Sequence, residues 1–199
     1  MKEKEILDQL TPINQNLFKQ LIDLRNQLTT IFRKKFNRTL PFNELLSNRW
    51  EKAKGLSFGE GTSVYDDVLV FGDVAIGKNT WVGPTVILDG SGGLKIGSNC
   101  SISAGVQIYS HNTVLWAVSG GIEPYSFEGT TIGSNCFIGP QSVIENGVVI
   151  GDHCIVGAKS FVNRPVPDFS IVAGTPAKVI GKVFLTDEGK VELKYSKTS

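Results

Sequence analysis

Aliphatic residues recur every six positions along most of the chain. They fall into three blocks: Val64, Val70, Ile76, Val82 and Leu88; then Ile96, Ile102 and Ile108; then Ile132, Ile138, Ile144, Ile150, Val156 and Val162. A period of six matches neither an amphipathic helix nor simple strand alternation, so it predicts short strands joined by regular corners. Hexapeptide repeats are typical of a parallel β-helix, in which three hexads make one triangular turn with the aliphatic side chains inside.

Two other positions of the hexad have a restricted composition. Glycine often follows the aliphatic residue, as at Gly77 and Gly133, and we expect these glycines to supply the positive φ that tight corners need. Four residues after the aliphatic residue the side chain is small or medium, and Cys100, Cys136 and Cys154 all fall there. An odd number of cysteines at this interior position predicts buried packing residues, because a nucleophilic cysteine needs a partly exposed, electropositive site.

Residues 1–55 do not follow the period of six. Their apolar side chains are spaced by three and four, which predicts one long amphipathic helix that begins near Thr11-Pro12. The residues of this stripe are Ile13, Leu17, Leu21, Leu24, Leu28 and Ile31. A second, shorter helix is expected between Pro41 and Gly55.

The chain therefore divides into three parts. Residues 1–55 form an N-terminal helical segment, residues 56–183 form the β-helix domain with a loop excursion at 112–130, and residues 184–199 form a C-terminal β segment and tail. We expect the helices to cover strand edges that would otherwise be exposed, on this chain or on a neighbouring subunit.

Charge and hydropathy narrow the possible partners. The chain has 20 Lys and Arg against 19 Asp and Glu, a formal net charge of +1. No global field favours nucleic acid or an anionic membrane. The first residues, MKEKEILDQL, mix both charge signs, and no apolar run is long enough for a signal peptide or a membrane span. These features predict a cytoplasmic protein without membrane insertion.

Two stretches of sequence resemble a known family. The repeat "TIGSNCFIGPQSVIENGVVIGDHCIVGAKSFVNRPV" is similar to the hexapeptide-repeat acyltransferases, whose fold is a left-handed parallel β-helix, and the similarity runs from residue 64 to 182. The stretch "AGTPAKVIGKV" resembles the signature that closes the coil in members that use acetyl-coenzyme A. The left hand and the use of acetyl-coenzyme A are implied by this resemblance.

The period of six fails between Ile108 and Ile132, and His111 lies where it fails. Long loops in compact domains are more often functional than idle, and an imidazole can take a proton near neutral pH. The run "DGSGGLKIGSNCSISAGVQIYSHNTVLWAVSGG" resembles the sugar O-acetyltransferase branch, which includes maltose, galactoside and polysaccharide-biosynthesis acetyltransferases. In that branch a histidine at this place is the general base. We therefore predict His111 as the catalytic base for acetyl transfer to a hydroxyl of a sugar or polysaccharide precursor.

Several residues near His111 are candidates for a role in the site. The imidazole needs a partner on its other nitrogen, and Asp89, Glu123 and Glu128 are the candidates, among which the sequence does not choose. Residues predicted to contact the acceptor are Asp89, Asn112, Trp116 and Glu123. His153 lies inside the regular repeat, so we expect it to be a solvated corner residue.

The last turns contain the predicted cofactor residues. By the resemblance, acetyl-coenzyme A would contact Phe137, Ala158, Ser160, Asn163, Arg164, Thr175, Pro176 and Lys178. The cations of this region, Lys159, Arg164, Lys178 and Lys182, suit the phosphates of the cofactor. Phe137 stands where many members have tryptophan, and Pro140 where many have serine.

The resemblance also implies a homotrimer, with the base from one subunit and cofactor contacts from the next. The outward Trp81, Phe137 and Phe161 agree with it weakly.

Alternatives to O-acetylation are N-acetylation of an amino sugar or another amine, and a non-enzymatic structural or binding solenoid. A zinc carbonic anhydrase needs three histidines per metal, and this chain has two, so no metal is predicted.

Overall fold

The computed structural model describes residues 7–186 and 188–196. This range leaves out residues 1–6, Asp187 and residues 197–199. The last of these are the end of the predicted polar tail. The chain forms two compact units that divide between Ser47 and Asn48. The predicted fold class, a left-handed parallel β-helix with an N-terminal helical segment, is confirmed.

The first unit contains the long helix that the stripe predicts. Helix α1 (Pro12–Phe36) begins after Thr11, whose side chain accepts a hydrogen bond from the Asn14 N–H, and it has proline in its first turn. The helix ends at Asn37, whose backbone is left-handed at φ 52°. Helix α2 (Phe42–Leu46) follows. The second predicted helix is thus two helices, because helix α3 (Arg49–Gly55) is separate and belongs to the second unit.

In the second unit the described chain winds about six turns of a triangular coil. The first face contains β1 (Ser63–Val64), β3 (Trp81–Val82), β5 (Ser101–Ile102), β10 (Phe137–Ile138), β13 (Ile155–Val156) and β15 (Ser170–Gly174). The second contains the first parts of β2 (Leu69–Ile76) and β4 (Ile87–Ile96), then β6 (Gln107–Ile108), β11 (Val143–Ile144) and β14 (Phe161–Val162). The third contains the remainder of β2 and β4, then β9 (Thr130–Ile132) and β12 (Val149–Ile150).

The inward side chains of the short strands fill the coil. In the two-residue strands of the coil the aliphatic residue of the hexad is the second of the two, and Ile102, Ile138 and Val156 are fully buried one above another. The three cysteines are also buried, at 3%, 2% and 0% exposure. Their prediction as packing residues is confirmed.

The role predicted for the repeat glycines is wrong. Gly77, Gly97, Gly133 and Gly151 do not have positive φ. A Cβ on Gly97 would lie 2.7 Å from the backbone carbon of Gly133, and one on Gly133 would lie 2.7 Å from that of Gly151. These glycines are needed because the backbones of successive turns approach too closely for any side chain.

The left-handed corners are instead occupied mainly by larger residues. Asn99, Asn135, His153 and Phe169 have φ between 56° and 59° and lie one above another at the corner before the first face. The Asn135 side chain is 3.3 Å from Nε2 of His153, and the His153 and Phe169 rings stack with centroids 4.8 Å apart. His153 is therefore a half-buried member of a corner column, not a simply solvated residue.

At its end the coil becomes antiparallel. Strand β15 pairs in parallel with β13 and antiparallel with β16 (Ala177–Leu185), which pairs antiparallel with β17 (Val191–Tyr195). The predicted C-terminal β segment is thus the outer strand of a hairpin that extends the first face. Throughout residues 7–186 and 188–196, every helix is too short or too polar to cross a bilayer.

Lys52 in helix α3 closes the first turn of the coil. Its Nζ donates hydrogen bonds to the carbonyl oxygens of Tyr65, Asp66 and Val68 at 2.9, 2.6 and 3.3 Å. The ammonium group thereby satisfies carbonyls at the corner between the first two strands. No earlier turn of the coil is present there to donate hydrogen bonds to them.

Replacing this ammonium should destabilise the second unit. We expect Lys52→Met to lower the free energy of unfolding by about 1–3 kcal/mol, because it leaves three carbonyls without their charged donor. Urea denaturation followed by circular dichroism measures the change, and Lys54→Met on the same helix, where Lys54 is exposed, is the control. Equal stability of the two variants would contradict the capping role.

Candidate active site

The chain leaves the coil directly after β6 and forms a small hairpin. Strand β7 (His111–Asn112) pairs antiparallel with β8 (Ser126–Phe127), and helix α4 (Val114–Val118) lies between them. The coil resumes at Thr130, whose hydroxyl donates to the Tyr109 carbonyl at 2.6 Å. His111 is therefore the first residue of the excursion and is anchored to the rigid coil on one side.

A groove runs beside His111 along the edge of the second face. It encloses about 410 Å³ and is lined by Leu69, Phe71, Ile87, Asp89, Ser91, Tyr109 and His111. This volume lies within the range of small-molecule sites, and the lining is mostly apolar with a few convergent polar groups, as such sites usually are.

Asp89 lies beneath the imidazole and holds it. Its Oδ2 is 2.5 Å from Nδ1 of His111 and accepts from the Ser110 N–H at 3.0 Å. Its Oδ1 accepts from the hydroxyl and the N–H of Ser91, at 2.6 and 3.0 Å. Asp89 is 2% exposed, and its bond from the Ser110 N–H is fully buried, whereas its bonds with Ser91 and His111 are partly buried at the edge of the groove.

These hydrogen bonds keep Asp89 ionised. Burial alone raises the pKa of a carboxyl group, but donation from the Ser110 N–H, from Ser91 and from His111 outweighs it and lowers the pKa of Asp89 from 3.8 to about 2. The carboxylate therefore accepts the proton on Nδ1 and leaves Nε2 as the imidazole nitrogen that can take a proton. The His111 side chain is 34% exposed, so the ring is accessible from the groove.

Asp89 is thus the orienting partner among the three carboxylates that the sequence left open. Glu123 and Glu128 are exposed residues of the excursion. Both oxygens of Asp89 accept hydrogen bonds from the chain itself, and its contact with the acceptor stays a prediction.

The other predicted acceptor residues lie in the excursion rather than in the groove. Asn112 accepts from the Val114 N–H at 2.7 Å, which makes it a turn residue at the start of α4. Trp116 packs edge-on against Tyr125 with ring centroids 5.2 Å apart and remains 42% exposed. The single chain does not bring Trp116 or Glu123 to the groove that His111 lines.

Aromatic and serine residues that were not predicted from the sequence frame the site. Tyr109 and Phe127 have ring centroids 6.4 and 6.3 Å from that of His111. Ser110 is fully buried, and its Oγ accepts from the Gly92 N–H at 2.8 Å. Tyr109 and Ser110 could have been predicted, because they directly precede His111 in the sequence. The contact of Phe127 with His111 and the hydrogen bond of Gly92 with Ser110 become evident only when the turns are stacked.

Most of the predicted cofactor residues lie in the last turns, on both sides of β14 and in the loop that closes the coil. Ala158, Asn163, Arg164, Thr175, Pro176 and Lys178 are exposed in the last turns. The Thr175 hydroxyl donates to the Lys159 carbonyl at 3.2 Å, which joins the corner before β14 to the closing loop. Ser160 differs from the others, because it is 2% exposed and its hydroxyl is used by the Gly157 carbonyl and the Gly174 N–H. Any contact of Ser160 with a ligand must come from its backbone.

Phe137 lies on the first face, 41% exposed, in a groove shared with Ile155 and Leu185. It is therefore on a different face from Arg164, which follows β14 on the second. Trp81 is also on the first face, whereas Phe161 is on the second, so the three outward aromatic residues do not form one surface.

One chain keeps the base and the cofactor residues apart. His111 follows β6, whereas Ala158 precedes β14, so they lie at opposite edges of the second face. Strand β11 separates the two strands, which places them roughly 10 Å apart along the axis of the coil. Within the described parts of the chain, no three or more His, Cys, Asp or Glu side chains are grouped as metal ligands.

Two family models match the coil. Residues 129–164 match the model described as "Bacterial transferase hexapeptide (six repeats)", and residues 73–110 match "Hexapeptide repeat of succinyl-transferase". These matches, together with the solved structures described below, support the hexapeptide-repeat acyltransferase superfamily for this chain. The two matches lie on either side of the excursion that follows His111.

Individual members differ in the group that they acylate. A 2,3,4,5-tetrahydropyridine-2,6-dicarboxylate N-acetyltransferase of Halalkalibacterium halodurans is 46% identical over 99 residues, which cover 50% of this chain and 37% of that protein. The chain thus spans well under half the length of this curated relative.

Among solved structures, a maltose O-acetyltransferase from Clostridium difficile 630 is 26% identical, with a TM-score of 0.55 over 82% of this chain and 88% of that one. A variant of AntD, an N-acyltransferase from Bacillus cereus in complex with dTDP and Coenzyme A, is 24% identical, with a TM-score of 0.57 over 63% of this chain and 72% of that one. The likeness to AntD is a likeness of fold.

The Asp89 network predicts a stability that depends on pH. Because the folded-state pKa is lowered, the ionised carboxylate stabilises the fold above about pH 4, and this contribution is lost as the pH falls toward 2. At pH 7 we expect Asp89→Asn to cost roughly 2 kcal/mol. The difference from wild type should shrink below pH 4 in urea denaturation, whereas the exposed Asp67→Asn should behave as wild type. A difference that does not change with pH would contradict this account.

Proposed function

We propose that the protein is an acetyl-coenzyme A-dependent acetyltransferase that acetylates a hydroxyl of a sugar or polysaccharide precursor. The observation that carries the proposal is the buried Asp89 carboxylate bonded to Nδ1 of a groove-lining His111. A carboxylate-oriented imidazole is what a general base requires, and a solenoid that only binds or supports has no use for one.

In the proposed reaction Nε2 of His111 accepts the proton of the acceptor hydroxyl as its oxygen attacks the thioester carbonyl of acetyl-coenzyme A. The carbon–oxygen bond forms and the tetrahedral intermediate collapses, which breaks the carbon–sulfur bond. The sulfur of coenzyme A leaves with the electron pair and takes the proton back from the imidazolium. Asp89 keeps its charge throughout and stabilises the protonated ring.

The residues of the last turns suit acetyl-coenzyme A. The exposed cations Lys159, Arg164 and Lys178 can pair with its phosphates, and the backbone of the corner at Ala158 offers polar groups to the pantetheine amides. The AntD structure of the same fold contains Coenzyme A. We propose that acetyl-coenzyme A contacts the residues predicted for it, with Ser160 contributing only its backbone and Phe137 forming an apolar wall.

We further propose that the site is shared between subunits of a homotrimer. The separation of His111 from Arg164 along the second face supports this, because a neighbouring copy could bring its last turns to the groove. The outward residues of this face are mostly apolar, and they are Leu69, Ile87, Gln107, Val143 and Phe161. A stripe of this kind suits contact with another coil.

Transfer to an amine is the second candidate. The relative from Halalkalibacterium halodurans is an N-acetyltransferase, and the same base could take a proton from an attacking amine. The maltose O-acetyltransferase is similar over a larger share of the chain, which favours the hydroxyl. Thiol release measured with matched pairs of sugars and amino sugars, free and nucleotide-linked, distinguishes transfer to a hydroxyl from transfer to an amine.

The cytoplasmic location stays a prediction from the sequence.

His111 should be essential for turnover but not for folding. We expect His111→Ala to lower turnover of acetyl-coenzyme A and acceptor by a factor of about 100 or more, because the hydroxyl then lacks its base. Release of thiol measures the rate, and circular dichroism checks the fold. His153→Ala is the matched control and should retain near-normal turnover, so similar losses in the two variants would remove His111 from its role.

Acetyl-coenzyme A should stabilise the protein through the cations of the last turns. Millimolar ligand is expected to raise the melting temperature by mass action, and Arg164→Ala with Lys178→Ala should weaken binding about 10-fold or more. Lys95→Ala, an exposed cation on the third face, is the control. An unchanged melting temperature in the wild type would count against cofactor binding, and an unchanged affinity in the double variant would count against this location.

A further inference from the structure

The outermost strand of the C-terminal hairpin has an open edge. Strand β17 pairs with β16 on one side, and no strand of the described chain pairs with its other side. All five of its residues are exposed. An edge of this kind presents unpaired N–H and C=O groups, which are a template for another strand.

The register of the hairpin fixes which groups face outward. The Thr186 N–H donates to the Lys190 carbonyl at 2.9 Å, and the Ser196 N–H donates to the Ile180 carbonyl at 2.8 Å. Hydrogen-bonded pairs alternate along an antiparallel ladder, so the backbone of Glu192 and Lys194 also bonds to β16. The N–H and C=O groups of the alternate residues, at positions 191, 193 and 195, therefore point away from the hairpin.

The sequence of this strand, VELKY, is complementary to itself when reversed. In an antiparallel pair of two copies centred on Leu193, each Leu193 lies opposite the other, and each Val191 lies opposite a Tyr195. Glu192 of one copy then lies opposite Lys194 of the second copy, in both halves of the pair. The outward groups at positions 191, 193 and 195 meet as three hydrogen-bonded pairs, which supply about six N–H to carbonyl bonds.

We propose that β17 is an interface strand that pairs antiparallel with β17 of a second copy of this chain, about a two-fold axis at Leu193. Charge complementarity selects this occupant: the antiparallel register brings opposite charges together, whereas a parallel in-register pair would bring each charge beside its like. Within one chain Lys194 Nζ lies 3.7 Å from Glu192 Oε2, and both side chains are more than half exposed, so both can reach across the new edge.

The apolar side of the hairpin agrees with this pairing. Val191, Leu193 and Tyr195 project to one side of the sheet, at 61%, 43% and 61% exposure, next to Val183 and Leu185 of β16. Pairing of two edges would join two such surfaces into one continuous apolar face. This explains why strongly apolar residues alternate with the two charges on a strand that otherwise faces solvent.

This interface is independent of the proposed enzymatic function. It would double whatever assembly the coil forms by itself, so a trimer would become a hexamer and a monomer would become a dimer. Loss of the edge contact should leave acetyl transfer unchanged, since β17 contains none of the proposed catalytic or binding residues.

Charge exchange tests the register. Light scattering of the full chain should give an even number of copies. Lys194→Glu should weaken the pairing about 10-fold or more, because it places two glutamates opposite each other twice. The exchanged variant Glu192→Lys with Lys194→Glu should recover wild-type association. An odd assembly in the wild type, or no recovery in the exchanged variant, would overturn the proposal.

A single cysteine tests the axis directly. Leu193→Cys should form a disulfide-linked dimer of chains on mild oxidation, since a residue on the axis faces its own copy at about 5.5 Å between Cα atoms. Glu192→Cys is the control and should cross-link far less, because it faces position 194. The native cysteines are buried and do not compete. Equal cross-linking of the two variants, or none with Leu193→Cys, would contradict pairing about Leu193. Any doubling of the mass of the assembly would then come from another surface.

Discussion

Backbone hydrogen bonds between successive turns are the interaction on which the rest of this structure depends. The Trp81 N–H donates to the Cys100 carbonyl, the Ser101 N–H to the Cys136 carbonyl and the Phe137 N–H to the Cys154 carbonyl, each at 2.9 Å. This ladder sets a constant rise from turn to turn. The interior then has a fixed cross-section, which the aliphatic hexad residues fill, and the corners approach so closely that several of them admit no side chain.

The candidate site depends on the same ladder. Asp89 ends one rung of the second face, and Ser110 with His111 follows the next, so the stacking of two turns brings the carboxylate beneath the imidazole. A residue pair separated by 22 positions in sequence is thus held as firmly as neighbours in one strand. The energy of burying Asp89 is offset by donors that the coil supplies, two of them from the backbone.

The period of six was sufficient to predict the coil, its interior and the interruption after His111, because a repeat in sequence is a repeat in space. It did not explain the repeat glycines, since close approach of two backbones depends on which corners stack. Asp89 could not be chosen over Glu123 or Glu128 from the sequence, because the carboxylate that lies beneath His111 is decided by how two turns of the coil stack. The predicted cofactor contacts came from the family resemblance alone. The fold changes this prediction at Ser160, because its hydroxyl is buried and bonded within the chain.

The excursion leaves and re-enters the coil at one corner. The Glu128 N–H donates to the Ser110 carbonyl at 2.9 Å, and Thr130 then bonds to the preceding segment, so the departure is sealed at its base. The turns above and below stack as though nothing had been inserted. A segment of different length or sequence could therefore replace the excursion at this corner without changing the register of the coil.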